Sequence, residues 1–256
     1  MNFITYEQFI KDIKEFVKRL PKFEVVSFIP NSGMIPAFIY SKFHSSKLIP
    51  IEEVKKSPEK ILIFDDSLLF GRTLKSYQDK IKSKNLYYAV VYTSDIKSII
   101  QYKIDFYFNQ IKGPRLFEWN WLQSKVVSEM AFDLDGVLCI KPTELENDDS
   151  FNYLNFIENT KTLYIPSHEI GAIITARLEK YRTQTEKWLN ENNVKYKELV
   201  MLNSTAKERR DKNLHTIHKS IEYLKRTNLH LFIEDEEYQA RVIKSKTNKY
   251  VLCIKN

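Results

Sequence analysis

ILIFDDSLLFGRTL, residues 61–74, reads in three parts. Residues 61–64 are wholly apolar, the composition of a strand buried on both faces. Two acids follow, Asp65 and Asp66, then a short loop holding Gly71, and helical periodicity resumes at about Thr73. A strand that passes through a polar turn into a helix is half of a βα unit, and ligands of open α/β sheets bind beyond the carboxyl ends of strands. The flanks repeat the grammar. Phe9, Ile10, Ile13, Phe16, Val17 and Leu20 recur at helical spacing over residues 6–20. VVSFI (25–29) reads as a strand, PNSG (30–33) as a turn and MIPAFIYSKF (34–43) as a helix. LYYAVVYTS (86–94) and KIDFYF (103–108) supply two further strands.

GPRLFEWNWLQSK (113–125) breaks this rhythm with dense aromatics, a proline and no period, and reads as a junction. The alternation then restarts. KVVSEMAFDLDG (125–136) is a strand ending in acids, IGAIIT (170–175) a strand ending in a threonine, and residues 176–192 a helix. KELVML (197–202) is a short strand, HKSIEYLKRT (218–227) a helix and HLFIED (230–235) a last strand ending in acids. The expected fold class is therefore α/β, two three-layer domains with parallel sheets, over residues 1–124 and 125–256.

Composition agrees with a folded, water-exposed protein. The chain has 256 residues, 43% hydrophobic and 29% charged, with only 5 glycines and 8 prolines, which excludes disorder throughout and collagen-like architectures. Cys139 and Cys253 are too few for a disulfide framework or a four-ligand zinc site, and they point to a reducing compartment. MNFITYEQFIKDIKEF carries acids among its apolar residues, unlike a signal peptide, and no apolar run nears the roughly 20 residues of a membrane span. A cytoplasmic location is expected. The net charge is +7; the first 124 residues hold 19 Lys and Arg against 13 Asp and Glu, the remainder 21 against 20. The lysines are scattered singly, so nucleic acid is not demanded and a small polyphosphate fits as well. Oligomeric state has no signature.

In residues 61–74, the loop and helix start form an anion site, and the paired acids suit two sugar hydroxyls or a hydrated metal. With SFIPNSGMIPA (27–37), a strand-to-helix turn about thirty residues earlier, this resembles the signature of type I phosphoribosyltransferases. The resemblance implies that Asp65 and Asp66 take the ribose of phosphoribosyl pyrophosphate (PRPP). Ser67, Gly71, Arg72 and Thr73 would surround its 5-phosphate, and Asn31, Ser32 and Gly33 its pyrophosphate.

AFDLDGVLC (131–139) places Asp133 and Asp135 two apart after an apolar strand, with Gly136 breaking it. Carboxylates so spaced can share one Mg²⁺ while one attacks phosphorus and the other handles the proton. This resembles the haloacid-dehalogenase (HAD) phosphatases, and the later motifs follow in order. By that resemblance Asp133 is the nucleophile, Asp135 the acid and base, and Thr175 the hydroxyl holding the phosphoryl group. Lys219, opening its helix, neutralises charge, with Lys207 as the alternative; Glu234 and Asp235 join Asp133 and Asp135 around Mg²⁺, directly or through water, with the choice of direct ligand between them open. The intervals of 42 residues from Asp133 to Thr175 and 44 from there to Lys219 leave no room for a large cap.

The whole chain resembles fused phosphoribosyltransferase–HAD proteins of bacterial surface-polysaccharide assembly. That implies transfer of phosphoribose from PRPP to an oligosaccharide or polysaccharide, then removal of the 5-phosphate. Nucleobase salvage by the same two chemistries stays open. So does a first domain that only senses PRPP, a reading favoured by Leu69 and Phe70 where that family carries small or hydroxyl residues. FEWNW (117–121) suits sugar stacking or domain packing, the latter favoured. Ser167, His168, His215, His218 and His230 lack metal-ligand spacing with cysteines and read as surface or capping residues, and Cys139 as a packed one.

Overall fold

The computed structural model describes every residue except 1, 32, 70, 82–84, 114, 206–210 and 255–256, and the side chain of residue 212. The chain divides into two compact units, Met1–Arg115 and Leu116–Asn256.

In the first unit the order is β1 (Asn2–Ile4), α1 (Tyr6–Arg19), β2 (Val25–Phe28), α2 (Met34–His44), β3 (Lys47–Leu48), β4 (Ile61–Leu68), α3 (Arg72–Lys80), β5 (Leu86–Thr93), α4 (Ile96–Gln101) and β6 (Phe106–Gln110). Thr5 caps α1, its side chain accepting from Gln8 N at 3.2 Å. Five strands form a parallel sheet in the order β3-β2-β4-β5-β6. Side chains of alternating strand residues divide between its faces. Phe64 meets Phe16 of α1 and Tyr40 of α2 at ring separations of 6.2 and 5.3 Å. Ile61, Ile63 and Val90 pack with Leu74 of α3 and with Ile51 and Val54 of a 3₁₀ turn, Ile51–Lys56. Both faces are covered, which is why β4 and β5 are apolar runs rather than alternating ones.

One expectation is corrected here. The strand read as ending at the acids continues through them to Leu68, because β5 pairs with it past that point, Asp65 opposite Val90 and Leu68 opposite Thr93. β2 stops opposite Phe64, so the last four residues of β4 stand beyond it.

After β7 (Arg115–Phe117) the second unit runs β8 (Met130–Phe132), α5 (Phe151–Asn159), β9 (Ala172–Leu178), α6 (Arg182–Glu191), β10 (Leu199–Leu202), α7 (Lys212–Lys225), β11 (Leu231–Glu234), α8 (Glu237–Thr247) and β12 (Tyr250–Cys253). Its five strands are parallel in the order β10-β9-β8-β11-β12. Tyr223 of α7 and Ile243 of α8 pack on Ala131, Ile174 and Phe232 of the sheet. Trp188 of α6 donates its Nε1 to the Thr160 carbonyl just after α5, at 2.8 Å.

Four readings change. The strand expected over 125–136 is three residues long, preceded by a 3₁₀ turn, Lys125–Glu129, whose start is held by Ser124 accepting from Val126 N. Residues 176–178 belong to β9 rather than to the helix, because β10 pairs as far as Leu178. Helix α7 begins at Lys212, where Asp211 caps it by accepting from Asn213 N at 2.9 Å, so Lys219 lies two turns inside it instead of opening it. The strand at FIED is followed by another, β12. Between Asp133 and Thr175 stands a single helix of nine residues. No helix among the described residues is long and apolar enough to cross a membrane.

Candidate active sites

Each five-stranded sheet has one topological switch point, where strand order reverses and a crevice opens beyond the carboxyl ends. In the first unit it lies between β2 and β4, and in the second between β8 and β11. The quoted motifs fall at these two places.

In the first unit the loop after β2 is folded back onto β4. Ile29 N donates to the Phe64 carbonyl at 2.8 Å and Gly33 N to the Ile29 carbonyl at 3.0 Å. A Cβ on Gly33 would lie 2.0 Å from the Phe64 carbonyl oxygen, so only glycine fits this turn. Asn31 takes a left-handed backbone, φ 72°. Ser32, expected beside pyrophosphate, lies outside the described residues, as does Phe70.

Asp65 and Asp66 are both buried. Strict alternation would send them to opposite faces, but Leu68 shares a core with Ile61 and Ile63, so the alternation breaks at the acids. The two carboxyls meet. Burial, and then the Asp65 charge and hydrogen bond, raise Asp66 well above the usual carboxylate range, while Arg115 draws it down. Arg115 was not singled out by sequence. Its guanidinium donates to Ser67 Oγ (2.8 Å), the Leu68 carbonyl (2.8 Å), Ser94 Oγ (3.1 Å) and the Ile111 carbonyl (2.7 Å), joining the ends of β4, β5 and β6. Ser67 therefore serves Arg115 as an acceptor. Gly71 precedes α3 against the Tyr102 ring, and Arg72 and Thr73 are exposed on the first turn.

In the second unit β8 and β11 bring their terminal acids together. Asp133 N donates to the Ile233 carbonyl at 3.0 Å. Carboxylate oxygens of Asp133, Glu234 and Asp235 lie within 4.8 Å of one another. Lys219 reaches this cluster from α7, its Nζ 2.6 Å from Asp133, 2.7 Å from Glu234 and 3.0 Å from Gln239 Oε1. Asp133 and Glu234 both bond this one fully buried ammonium, and their charges keep the lysine protonated. Burial above all, and Glu234 in part, push Asp133 up to about 7, and burial likewise raises Asp235. Lys141 sits at the rim, 2.6 Å from Asp235 and also in contact with Glu236.

Gly136 has a positive φ of 86°, and a Cβ there would lie 2.2 Å from the Asp235 carboxylate. Thr175 is buried on β9 and its Oγ1 accepts from Arg177 N at 3.2 Å. Asp135 stands apart from the three-acid cluster, because Arg177 holds it at 2.6 Å. Lys207 lies outside the described residues. Asp133, Asp135, Thr175 and Lys219 nevertheless line one cleft of about 390 Å³, with Pro142 and Asn147, His215 and Tyr238 among its walls. His218, read as a surface or capping residue, is partly buried with its ring bonded to the Thr175 backbone, and burial lowers its pKa. In the aromatic segment Trp121 is core, 5.7 Å from Phe132, whereas Trp119 stacks on Phe117 at 4.8 Å and is half exposed.

The donor set suits Mg²⁺. Three carboxylates offer hard oxygen ligands, and Asp235 Oδ1 is buried without a hydrogen-bond partner. Such an oxygen is costly unless a cation satisfies it.

No family model and no curated protein matches the chain. Several solved structures resemble it, three of them as follows. Xanthine-guanine-hypoxanthine phosphoribosyltransferase of Helicobacter pylori is 24% identical, over 46% of this chain and 91% of that one, with a TM-score of 0.38. A purine phosphoribosyltransferase of Pyrococcus horikoshii is 17% identical, over 46% and 92%, at 0.37. A chain of the Pnkp1/Rnl/Hen1 RNA repair complex is 10% identical, over 93% and 97%, at 0.38. At TM-scores this low the likeness decides nothing about chemistry, which belongs to the side chains.

Proposed function

We propose that this chain is a two-step ribofuranosyl transferase. Its first unit moves phosphoribose from PRPP to a glycan hydroxyl, and its second removes the 5-phosphate as a Mg²⁺-dependent phosphomonoesterase. The observation that carries the second step is Lys219 shared by Asp133 and Glu234, with Asp235 alongside and Asp135 and Thr175 on the same cleft.

In that step an Asp133 oxygen attacks phosphorus and an aspartyl-phosphate forms as the bond to the leaving oxygen breaks. Asp135 delivers the proton to that oxygen and then takes one from the attacking water. Lys219 offsets the charge of the nucleophile and phosphoryl oxygens, and the Thr175 hydroxyl orients the phosphoryl group. Asp133, Glu234 and Asp235 would hold Mg²⁺, which supplies Lewis-acid stabilisation of that group when bound.

For the first step, support comes from the placement of Asn31 and Gly33 after β2 and of Asp65 and Asp66 on the overhanging end of β4, at the switch point. Pyrophosphate departs from C1 and an acceptor oxygen takes its place. The glycan as acceptor follows from the resemblance of the whole chain. Dephosphorylation draws the sequence forward, and the covalent tether raises the concentration of intermediate at the second unit.

The test uses purified protein, PRPP, Mg²⁺ and an oligosaccharide library, read by mass spectrometry. Asp133→Asn should accumulate product heavier by one phosphate than that of the unaltered chain. Fully dephosphorylated product from that variant would sink the division of labour. Absence of pyrophosphate release with every acceptor would make the first unit a PRPP sensor, and reaction with nucleobases but not oligosaccharides would make the chain a salvage enzyme.

A further inference from the structure

We infer that Arg177, backed by Cys139, is a positioning residue that fixes the Asp135 carboxyl for proton transfer; the inference rests on the phosphatase reading above. The Arg177 side chain has no exposed surface. Its Nε lies 3.1 and 3.2 Å from the two oxygens of Asp135, and its Nη2 lies 2.6 Å from Oδ1. A planar fork against both oxygens sets the plane of a carboxylate, which a single-point ammonium does not. The arginine is itself fixed. Nη1 points to Thr185 Oγ1 at 3.5 Å, and the Phe156 ring lies 5.8 Å from the guanidinium carbon. Cys139 closes the triangle, its Sγ 3.3 Å from Asp135 Oδ1 and 3.3 Å from Arg177 Nη2.

Stability does not account for this pair. A buried ion pair generally holds a fold no better than apolar side chains of the same volume, because desolvation offsets the attraction. What the pair does provide is orientation. Asp135 keeps 19% of its side-chain surface and lines the cleft, so one carboxyl joins a rigid buried anchor to the reacting groups. The strand makes the link tighter, since Arg177 N donates to the Thr175 hydroxyl oxygen. β9 thereby sets the phosphoryl-orienting hydroxyl and the orienter of the acid from positions two residues apart.

The proton balance defines the test. In the first half-reaction the Asp133–phosphorus bond forms, the bond from phosphorus to the leaving oxygen breaks, and that oxygen takes a proton from Asp135. In the second, water oxygen bonds to phosphorus, its proton passes to Asp135, and the Asp133–phosphorus bond breaks to release phosphate. A misplaced Asp135 therefore harms substrates whose leaving alcohol needs a proton more than those whose leaving group departs as an anion.

Full-length protein with Mg²⁺ should be assayed on ribose 5-phosphate and on 2,4-dinitrophenyl phosphate. Arg177→Lys and Arg177→Gln should lower kcat/KM on ribose 5-phosphate about tenfold or more beyond any loss on the dinitrophenyl ester, chiefly through kcat. Asp135→Asn should show the same selectivity, and the double variant with Arg177→Lys should lose little more than Asp135→Asn alone. Equal losses on both substrates, or additive losses in the double variant, would reduce Arg177 to a structural role. Should neither Arg177 variant fold, Cys139→Ala decides on the same ratio: a shift of about twofold or more against ribose 5-phosphate supports the assignment, and an unchanged ratio overturns it. Turnover of both esters surviving in Asp133→Asn would instead overturn the phosphatase reading itself.

Discussion

At the scale of the residue, the second unit concentrates its electrostatics on one ammonium. Lys219 is 1% exposed and Glu234 wholly buried, and with Asp133 they form a triad that water does not screen. Replacing Lys219 with Met leaves two buried carboxylates facing each other without their cation, and should cost about 3 kcal/mol in urea unfolding, together with phosphatase activity. Asp133 makes a pH prediction with a definite sign. Burial raises its folded-state pKa to about 7 from an ordinary value near 3.8, so between those values the folded protein holds a proton that the unfolded chain has released. Stability from this group is fully present below about pH 4 and is lost as pH rises towards 7. Chelator-treated protein should therefore lose stability relative to Asp133→Asn over that range, measured as the difference between their urea midpoints. Added Mg²⁺ should restore stability at pH 7.5, because the cation binds the ionised form.

At the scale of the element, each candidate site depends on a strand end and the turn after it. Gly33→Ala forces a Cβ into the carbonyl of Phe64, a backbone contact that no rotamer relieves. It should destabilise the first unit by more than about 2 kcal/mol and abolish PRPP binding measured by calorimetry. This turn was legible as PNSG, since proline, asparagine and glycine punctuate a chain locally. The end of β4 was not. Acids in sequence read as a stop, yet the ladder continues wherever a neighbour supplies partners, and Tyr92 and Thr93 of β5 pair with Ser67 and Leu68. The start of α7 was missed for a similar reason. Its capping Asp211 stands within a densely charged stretch, KERRDK (207–212), in which no apolar period is visible.

At the scale of the molecule, each unit has its own five-stranded sheet, its own core and its own switch point. Domains with their own cores tolerate changes in each other's sites. The double change Asp65→Asn with Asp66→Asn should therefore abolish PRPP-dependent pyrophosphate release while leaving hydrolysis of ribose 5-phosphate within about twofold of the unaltered chain. Loss of both activities would show that the steps share one site. Both five-stranded sheets are parallel, as the alternation of strands and helices predicts, because crossover helices cover both faces and drive the strands towards unbroken apolar runs.

The chain by itself determined the order of the motifs and the strands that lead into them, since apolar runs, acids and turn residues act over a few positions. Tertiary structure decided the pairings. Lys219 finds Asp133 across 86 residues, and Arg177 finds Asp135 across 42. Arg115 finds Ser67 across 48. Which cation meets which carboxylate depends on strand register and helix packing, and a local pattern of residues contains neither.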